Sequence, residues 1–298
     1  SIRYDPDVVA RDRNQAEFTK PIWDYLDSAV SARRISDGRR AGSTHRYRRS
    51  QFEAEYGVPA EIVTAIWGLE SAYGSFRGDH STLQSLATLA YDGRRAAFFE
   101  GELIAALRIL DSGDVRPADM RGSWAGAMGH TQFMPSSLLA RAVDFDADGK
   151  RDIWADDPTD ALASTARYLQ SFGWTTDQPW GLEVQVPEGF DYTLARRDIR
   201  KTLSEWAALG VKPVIGTAPA DARASLLLPA GHKGVALVVF NNFKVLETYN
   251  RADAYVIGVG HLSDRISGSR AFQASWPKGD AALSREQMRE LQTLLKAG

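Results

Sequence analysis

The stretch PAEIVTAIWGLESAYG, Pro59–Gly74, decides how the rest of the chain is read. Proline is favoured at the start of a helix, where its missing N–H would have had no partner. Ile62, Val63, Ile66, Trp67 and Leu69 then recur at helical spacing and predict a helix. Glu70 comes three turns in, four residues after Ile66 and on the same face. Gly74 and Gly78 are expected to end the helix and open a loop. By spacing alone Glu70 is a glutamate near a helix end, where most glutamates are simply solvated. Trp67 and Tyr73, each three residues away, are expected to share its face. A carboxyl beside aromatic rings loses hydration, which disfavours its charged form and raises its pKa. Such a group suits proton donation to a glycosidic oxygen.

A glycine-rich passage, Gly122-Ser123-Trp124-Ala125-Gly126-Ala127-Met128-Gly129, gives the second clue. Gly122, Gly126 and Gly129 would let backbone approach a bulky ligand. Gln132 offers an amide donor and acceptor for sugar hydroxyl or acetamido groups, and Ser123 could hydrogen-bond near the carboxyl. A tight helix-packing loop with Met128, Phe133 and Met134 in the core is the plainer reading, and the two are compatible.

Working outward, Phe18, Ile22, Tyr25 and Leu26 continue into Ala29, Val30 and Ala32 as a helical tract that Asp37-Gly38 should break. Helices are also expected over His45–Tyr56, Leu83–Leu89, Ala96–Leu110, Pro135 to about Ala142, and Asp160–Phe172. Near Gly181 the pattern changes. Leu182–Val186, Ser225–Leu228, Gly234–Phe240 and Lys244–Thr248 read as strands, and Asp198–Leu209 as a helix. Helical or mixed sequence returns over Asp253–Ile266, and Leu283–Ala297 is an amphipathic helix. The fold class is therefore α+β, mainly α, with a small mixed α/β domain at 181–248 beside a helical body.

An acidic loop, Asp144-Phe145-Asp146-Ala147-Asp148-Gly149-Lys150-Arg151-Asp152, carries acids at positions 1, 3, 5 and 9 and glycine at 6. An EF-hand loop presents oxygen ligands to calcium from these positions, with position 7, here Lys150, giving its backbone carbonyl. Without a cation these carboxylates would repel one another. Ala155 stands at position 12, where a standard loop has a bidentate glutamate. Calcium in a stabilising role is expected, since magnesium tolerates irregular geometry poorly.

Composition narrows the alternatives. The 298 residues are 44% hydrophobic and 25% charged, with a net charge of -2, so nucleic acid is not the expected partner. The arginines Arg33, Arg34, Arg39, Arg40, Arg46, Arg48 and Arg49 read as a solvated helical face, or more weakly as a surface for an anionic polymer. With no cysteine, disulfides, thiolate catalysis and cysteine-ligated zinc are excluded. No stretch reaches the roughly 20 apolar residues of a membrane helix. The chain begins at Ser1 without Met, as it would after removal of a signal or anchoring segment.

The motifs Ala65–Gly74 and Ser123–Ser137, with the Asp144–Asp160 loop, Tyr249-Asn250 and the Tyr255–Ile266 tract, resemble the membrane-bound lytic transglycosylase B family over about residues 15–275. The resemblance implies a lysozyme-like helical core holding the groove, a further helical domain and a small mixed domain. It divides the chain into an N-terminal helical domain at 1–44, a catalytic core at 45–180 with an EF-hand-like loop at 144–160, the mixed domain at 181–248, and a return to the core at 249–275. Residues 276–298 would be a closing helix or the truncated start of a peptidoglycan-binding domain. Glu70 matches the family's catalytic glutamate. Ser123, Met128, Gln132, Tyr249 and Asn250 match residues around the glycan, Tyr73 and His130 are further candidates, and a rim position is expected for His130. The last metal ligand best matches Asp160, with Asp156 or Asp157 as substitutes.

The same resemblance implies cleavage of the β-1,4 bond between N-acetylmuramic acid and N-acetylglucosamine without water, no organic cofactor, and peptidoglycan strands as partner. Wall-synthesis enzymes are further possible partners. A monomer in the periplasm or outer-membrane-associated envelope of a Gram-negative bacterium is expected. Two other readings stay open. A muramidase would need a second carboxylate, for which Asp79 and Asp92 are the nearest candidates in sequence. A glycan-binding protein without turnover would need Glu70 to point away from its site.

Overall fold

The computed structural model describes residues 2–14, 20–279 and 285–297, so Phe18 and Leu283 lie outside the described residues. Helix α1, Pro6–Arg13, starts where the Asp5 carboxylate accepts the Asp7 and Val8 amides, with proline at its first turn. Helices α2, Ile22–Ala29, and α3, Ala32–Thr44, part at Val30-Ser31, where the Ser31 hydroxyl caps α3. The break expected at Asp37-Gly38 is absent, because Gly38 sits inside α3 as a point of close approach. A Cβ there would meet the Tyr73 hydroxyl at 2.5 Å and Ile266 at 2.6 Å. Helix α4, Arg46–Tyr56, ends at Gly57 in the left-handed conformation, as expected.

Helix α5, Ala60–Ser71, buries every residue from Ile62 to Gly68. A helix that is apolar all round must be enclosed on all sides. Helices α3, α4, α9 (Thr159–Ser171) and α12 (Asp253–Ser267) surround it. Between α5 and α9 come strand β1, His80–Ser81; α6, Thr82–Asp92; α7, Ala96–Ser112; strand β2, Arg121–Gly122, antiparallel to β1; and α8, Pro135–Arg141. Glu102 of α7 fixes the start of α8: its carboxylate accepts the Ser136 amide at 2.9 Å and hydroxyl at 2.6 Å.

The sheet has the order β4-β6-β7-β3-β5, antiparallel throughout, with β3 at Gly181–Gln185, β4 at Lys201–Thr202, β5 at Lys212–Pro213, β6 at Arg223–Leu227 and β7 at Ala236–Val239. Successive residues of a strand point to opposite faces. Val235, Leu237 and Val239 accordingly join the helical core, while Ala236, Val238 and Phe240 join a second cluster around Trp206. That tryptophan lies on α10, Leu203–Ala208, which opens with a Thr202/Glu205 capping box. The helix expected over Asp198–Leu209 is thus only six residues long, because residues 201–202 pair with β6 instead.

Lys244–Thr248 is no strand. Helix α11, Asn241–Glu247, occupies it, with Asn242, Phe243, Val245 and Leu246 buried. The Asn242 amide donates to the Thr175 and Gln178 carbonyls, a tertiary anchor that local spacing cannot reveal. Helix α13, Arg285–Ala297, closes the described chain.

Candidate active site

Glu70 lies in the last turn of α5, half-buried, where the negative end of the helix dipole and loss of water both favour its neutral form. Its Oε1 accepts the Tyr255 hydroxyl at 2.5 Å, and no described residue engages Oε2. Burial raises the Glu70 pKa to about 7, although the Tyr255 hydrogen bond pulls the other way. At neutral pH the carboxyl is therefore shared between its two forms. A single group can then act first as acid and later as base. Tyr255, 6% exposed on the first turn of α12, is the contact the sequence left without a role.

The aromatic groups around this carboxyl differ from those expected. Tyr249 lies close enough for the Glu70 charge to help push its pKa well up, after burial. Its hydroxyl donates to the Thr131 carbonyl at 2.7 Å. Tyr73 falls beyond the helix end at φ 58°, so a helical face cannot be drawn through it. Its hydroxyl donates to the Arg34 carbonyl at 2.7 Å. Trp67 turns its indole N–H to His130 Nδ1 at 3.1 Å.

That bond fixes the proton of neutral His130 on Nε2, facing the Ala155 carbonyl at 2.7 Å. The ring is 4% exposed and not at a rim, and burial first of all lowers its pKa. The His130 carbonyl accepts the Ser71 hydroxyl at 2.5 Å, so the residue after Glu70 ties α5 to the 122–133 segment.

The glycines of that segment bring backbone against backbone. A Cβ on Gly122 would lie 2.1 Å from the Ala127 carbonyl oxygen, and one on Gly78 equally close to that of Gly122. Met128 bridges to both Gly122 and Phe133, and its side chain is fully buried. Ser123 accepts the Ala127 amide at 3.1 Å. Gln132, at φ 55°, donates to the Arg77 and Gly129 carbonyls, leaving its amide oxygen available. Gln132, Phe133, Met134, Tyr168 and Tyr249 line one cavity, which brings the two distant motifs together. Asn250 is exposed, and its Oδ1 accepts the Ala252 amide at 3.0 Å.

No second acid is among the groups that shift Glu70. Asp79 is exposed and paired with His80, and Asp92 is paired with Arg13 at 2.9 Å. In the acidic loop, Asp144, Asp146 and Asp148 bring carboxylate oxygens within 4.8 Å of one another, an arrangement able to hold a metal. Asp160, 3% exposed, braces the loop from α9 by accepting the Phe145 and Asp152 amides at 2.8 and 3.2 Å. Burial, then repulsion from Asp146, raises its pKa to about 6. Burial and the charges of Asp148 and Asp146 likewise raise Asp152. Asp156 pairs with Arg77, and Asp157 accepts the Thr159 amide and hydroxyl, so both are occupied elsewhere.

A lone acid ending a wholly enclosed helix, within a mainly helical body with a small antiparallel sheet, is the lysozyme-like transglycosylase architecture. Residues 1–264 match the family of transglycosylase SLT domains. The chain belongs to this family, in its membrane-bound B and soluble B branch. It is 33% identical over 221 residues to membrane-bound lytic murein transglycosylase B of Escherichia coli, covering 72% of this chain and 59% of that relative's length. It therefore spans less than two thirds of that curated relative. SltB3 of Pseudomonas aeruginosa, solved in complex with NAG-NAM-pentapeptide, superposes with a TM-score of 0.95 at 49% identity, over 100% of this chain and 80% of that one. The Escherichia coli transglycosylase Slt35, solved in complex with calcium, gives a TM-score of 0.76 at 29% identity, over 90% and 84%.

Proposed function

We propose that the chain is a lytic transglycosylase that cleaves peptidoglycan strands between N-acetylmuramic acid and N-acetylglucosamine. The observation that carries this reading is Glu70 itself: one carboxyl with a pKa of about 7, held by Tyr255, with no second acid acting on it. Neutral Glu70 gives its proton to the glycosidic oxygen as the bond from the muramoyl C1 breaks. Positive charge develops at C1, where the substrate's acetamido oxygen can stabilise it. The ionised carboxylate then takes the proton of the muramoyl C6 hydroxyl, whose oxygen closes on C1. Glu70 is regenerated, no water is consumed, and the product ends in 1,6-anhydromuramic acid.

Two-carboxylate glycosidases instead need an acid across the bond at roughly 5–9.5 Å. In support of the non-hydrolytic reading, SltB3 has also been solved with NAG-anhNAM-pentapeptide, at 49% identity to this chain. Gln132 and Tyr249 are proposed as direct glycan contacts, because they line the cavity beside the acid. Ser123 and Asn250 are proposed as further glycan contacts, while Met128, His130 and Tyr73 are proposed to hold the surrounding backbone in shape.

Calcium is proposed for the loop, on Asp144, Asp146, Asp148, the Lys150 carbonyl, Asp152 and Asp160. Bound there it would neutralise the converging charges and brace the start of α9. It takes no part in the reaction. No helix of the described residues is long and apolar enough to cross a membrane, and the envelope of a Gram-negative bacterium is the proposed location.

The test is mass spectrometry of products from purified murein, with wild type and Glu70→Gln side by side. Muropeptides lacking one water and ending in anhydromuramic acid, formed only with Glu70 present, are expected. Reducing muramic acid ends would make the enzyme a hydrolase. Absence of product with folded, calcium-loaded protein would leave a glycan-binding protein.

A further inference from the structure

Far from Glu70, α12 turns two ionisable side chains into a cavity of about 130 Å³. Tyr255 and Asp264 are nine residues apart on that helix, about 14 Å along its axis, so this cavity is separate from the catalytic carboxyl. Trp180 and Leu182 from the sheet side, His261 and Asp264 from α12, and Arg270 and Phe272 from the following segment line it.

Several of its polar atoms face the cavity rather than a protein partner. His261 is 7% exposed and stacked on Phe272 at 3.9 Å, yet neither ring nitrogen has a hydrogen bond among the described residues. Asp264 Oδ2 accepts the Trp180 indole N–H at 3.1 Å, while Oδ1 has no partner among the described residues. These atoms reach solvent through the cavity, and a carboxylate oxygen and an imidazole converging on such a space are the usual sign of a binding site. The walls are rigid, since Trp180 lies so close to Gly260 that a Cβ there would meet the indole at 2.3 Å.

Neighbouring charges narrow its chemistry. Glu183 is not available, because its two oxygens hold the Gln273 and Ala274 amides. Arg265 donates to the Ser269 carbonyl, and burial first, then the Arg265 charge, keeps His261 neutral. An acid therefore stands within the cavity, and an exposed guanidinium, Arg270, lines it. The volume is close to the ~150 Å³ that accommodates benzene in an engineered cavity, and alanine has as many heavy atoms as benzene.

We propose that this cavity binds a small amino-acid zwitterion, with its ammonium on Asp264, its carboxylate on Arg270 and a further hydrogen bond from His261. The inference is independent of the glycan-cleaving reading. Because burial raises Asp264 to a pKa of about 7, the ammonium partner is present as a carboxylate only toward alkaline pH.

Alanine of either hand is titrated into the full ¹⁵N-labelled chain, following the Trp180 indole N–H and the His261 ring nitrogens. Saturable shifts are expected at about pH 8, with affinity falling roughly thirtyfold by about pH 5.5 as Asp264 takes up a proton. Asp264→Asn, which keeps an oxygen for the Trp180 indole, should weaken binding at least ~10-fold and leave murein cleavage unchanged. Propylamine and propionate, with one charge each, should both bind more weakly than alanine. Glu70→Gln should bind alanine as wild type does, whatever it does to cleavage. Shifts that do not saturate, or equal binding by Asp264→Asn, would overturn the proposal.

Discussion

The end of α5 holds one carboxylate and the loop at 144–160 gathers several, and they handle charge in opposite ways. At Glu70 a single carboxyl is withdrawn from water, which outweighs the one hydroxyl donor favouring its ionised form, so it retains a proton to about pH 7. In the loop several carboxylates stay near the surface and spend their oxygens on main-chain amides. Asp144 accepts from Asp148 and Gly149, Asp146 from Asp148, and Asp148 from Lys150. The first arrangement stores a proton, and the second concentrates negative charge. Isolation suits acid–base work, whereas convergence suits metal binding.

The largest break in this contrast should come from Glu70→Gln. Loss of the acid is expected to reduce turnover at least ~10³-fold, about 4 kcal/mol of barrier, read from anhydromuropeptide release. The same substitution should stabilise the fold. The folded pKa of about 7 lies above the ordinary 4.5, so the folded protein holds its proton longer than the unfolded chain. Stability must then fall as pH rises from about 4.5 to 7, by roughly 3 kcal/mol when complete. Glutamine escapes that loss. The stability difference between Glu70→Gln and wild type should thus be near zero at acid pH and grow toward alkaline pH, as urea melts would record. A pH-independent difference would sink the proton-store account.

Much of this was legible in the sequence, for reasons particular residues make clear. Pro59, the apolar run to Leu69 and Gly57 set the central helix through local rules, and the structure has it within a residue or two. The convergence of Asp144, Asp146 and Asp148 was equally plain, since their spacing sets it. What could not be read depended on distant chain. Tyr255 reaches Glu70 across 185 residues, and nothing near either marks the pair. Gly38 reads as a breaker until Tyr73 and Ile266 are seen pressed against it. In α11 the short run around Val245 fits strand and helix alike, and the buried Asn242 amide decides between them.

The loop is tested next, with a smaller effect expected. Calcium at about a hundred times its dissociation constant should add roughly 2.7 kcal/mol to stability, and a chelator should remove it. Asp146→Asn sharpens the point because its sign depends on the metal. In chelator it should raise the melting temperature, by relieving the repulsion felt by Asp160 and Asp152. With calcium it should lower that temperature, by removing a ligand. The same sign under both conditions would mean that the carboxylates do not converge on a cation.

The smallest effect expected is the most specific to the catalytic side. Tyr255→Phe removes the one hydrogen bond that favours ionised Glu70, so the carboxyl should become a weaker acid. A hydrogen bond to a charged group is worth roughly 1.5 kcal/mol, which corresponds to an upward pKa shift of about one unit. With protonated Glu70 starting the reaction as proposed, kcat/KM should fall as pH rises through about 7 in wild type, and at higher pH in the variant. Burial without the hydroxyl is then the stronger proton store, but the ionised form proposed to accept the C6 proton loses its only described donor. Maximal rate in Tyr255→Phe should accordingly drop even where its profile is flat. If the limb moves to lower pH instead, Tyr255 is not the group that holds the carboxylate.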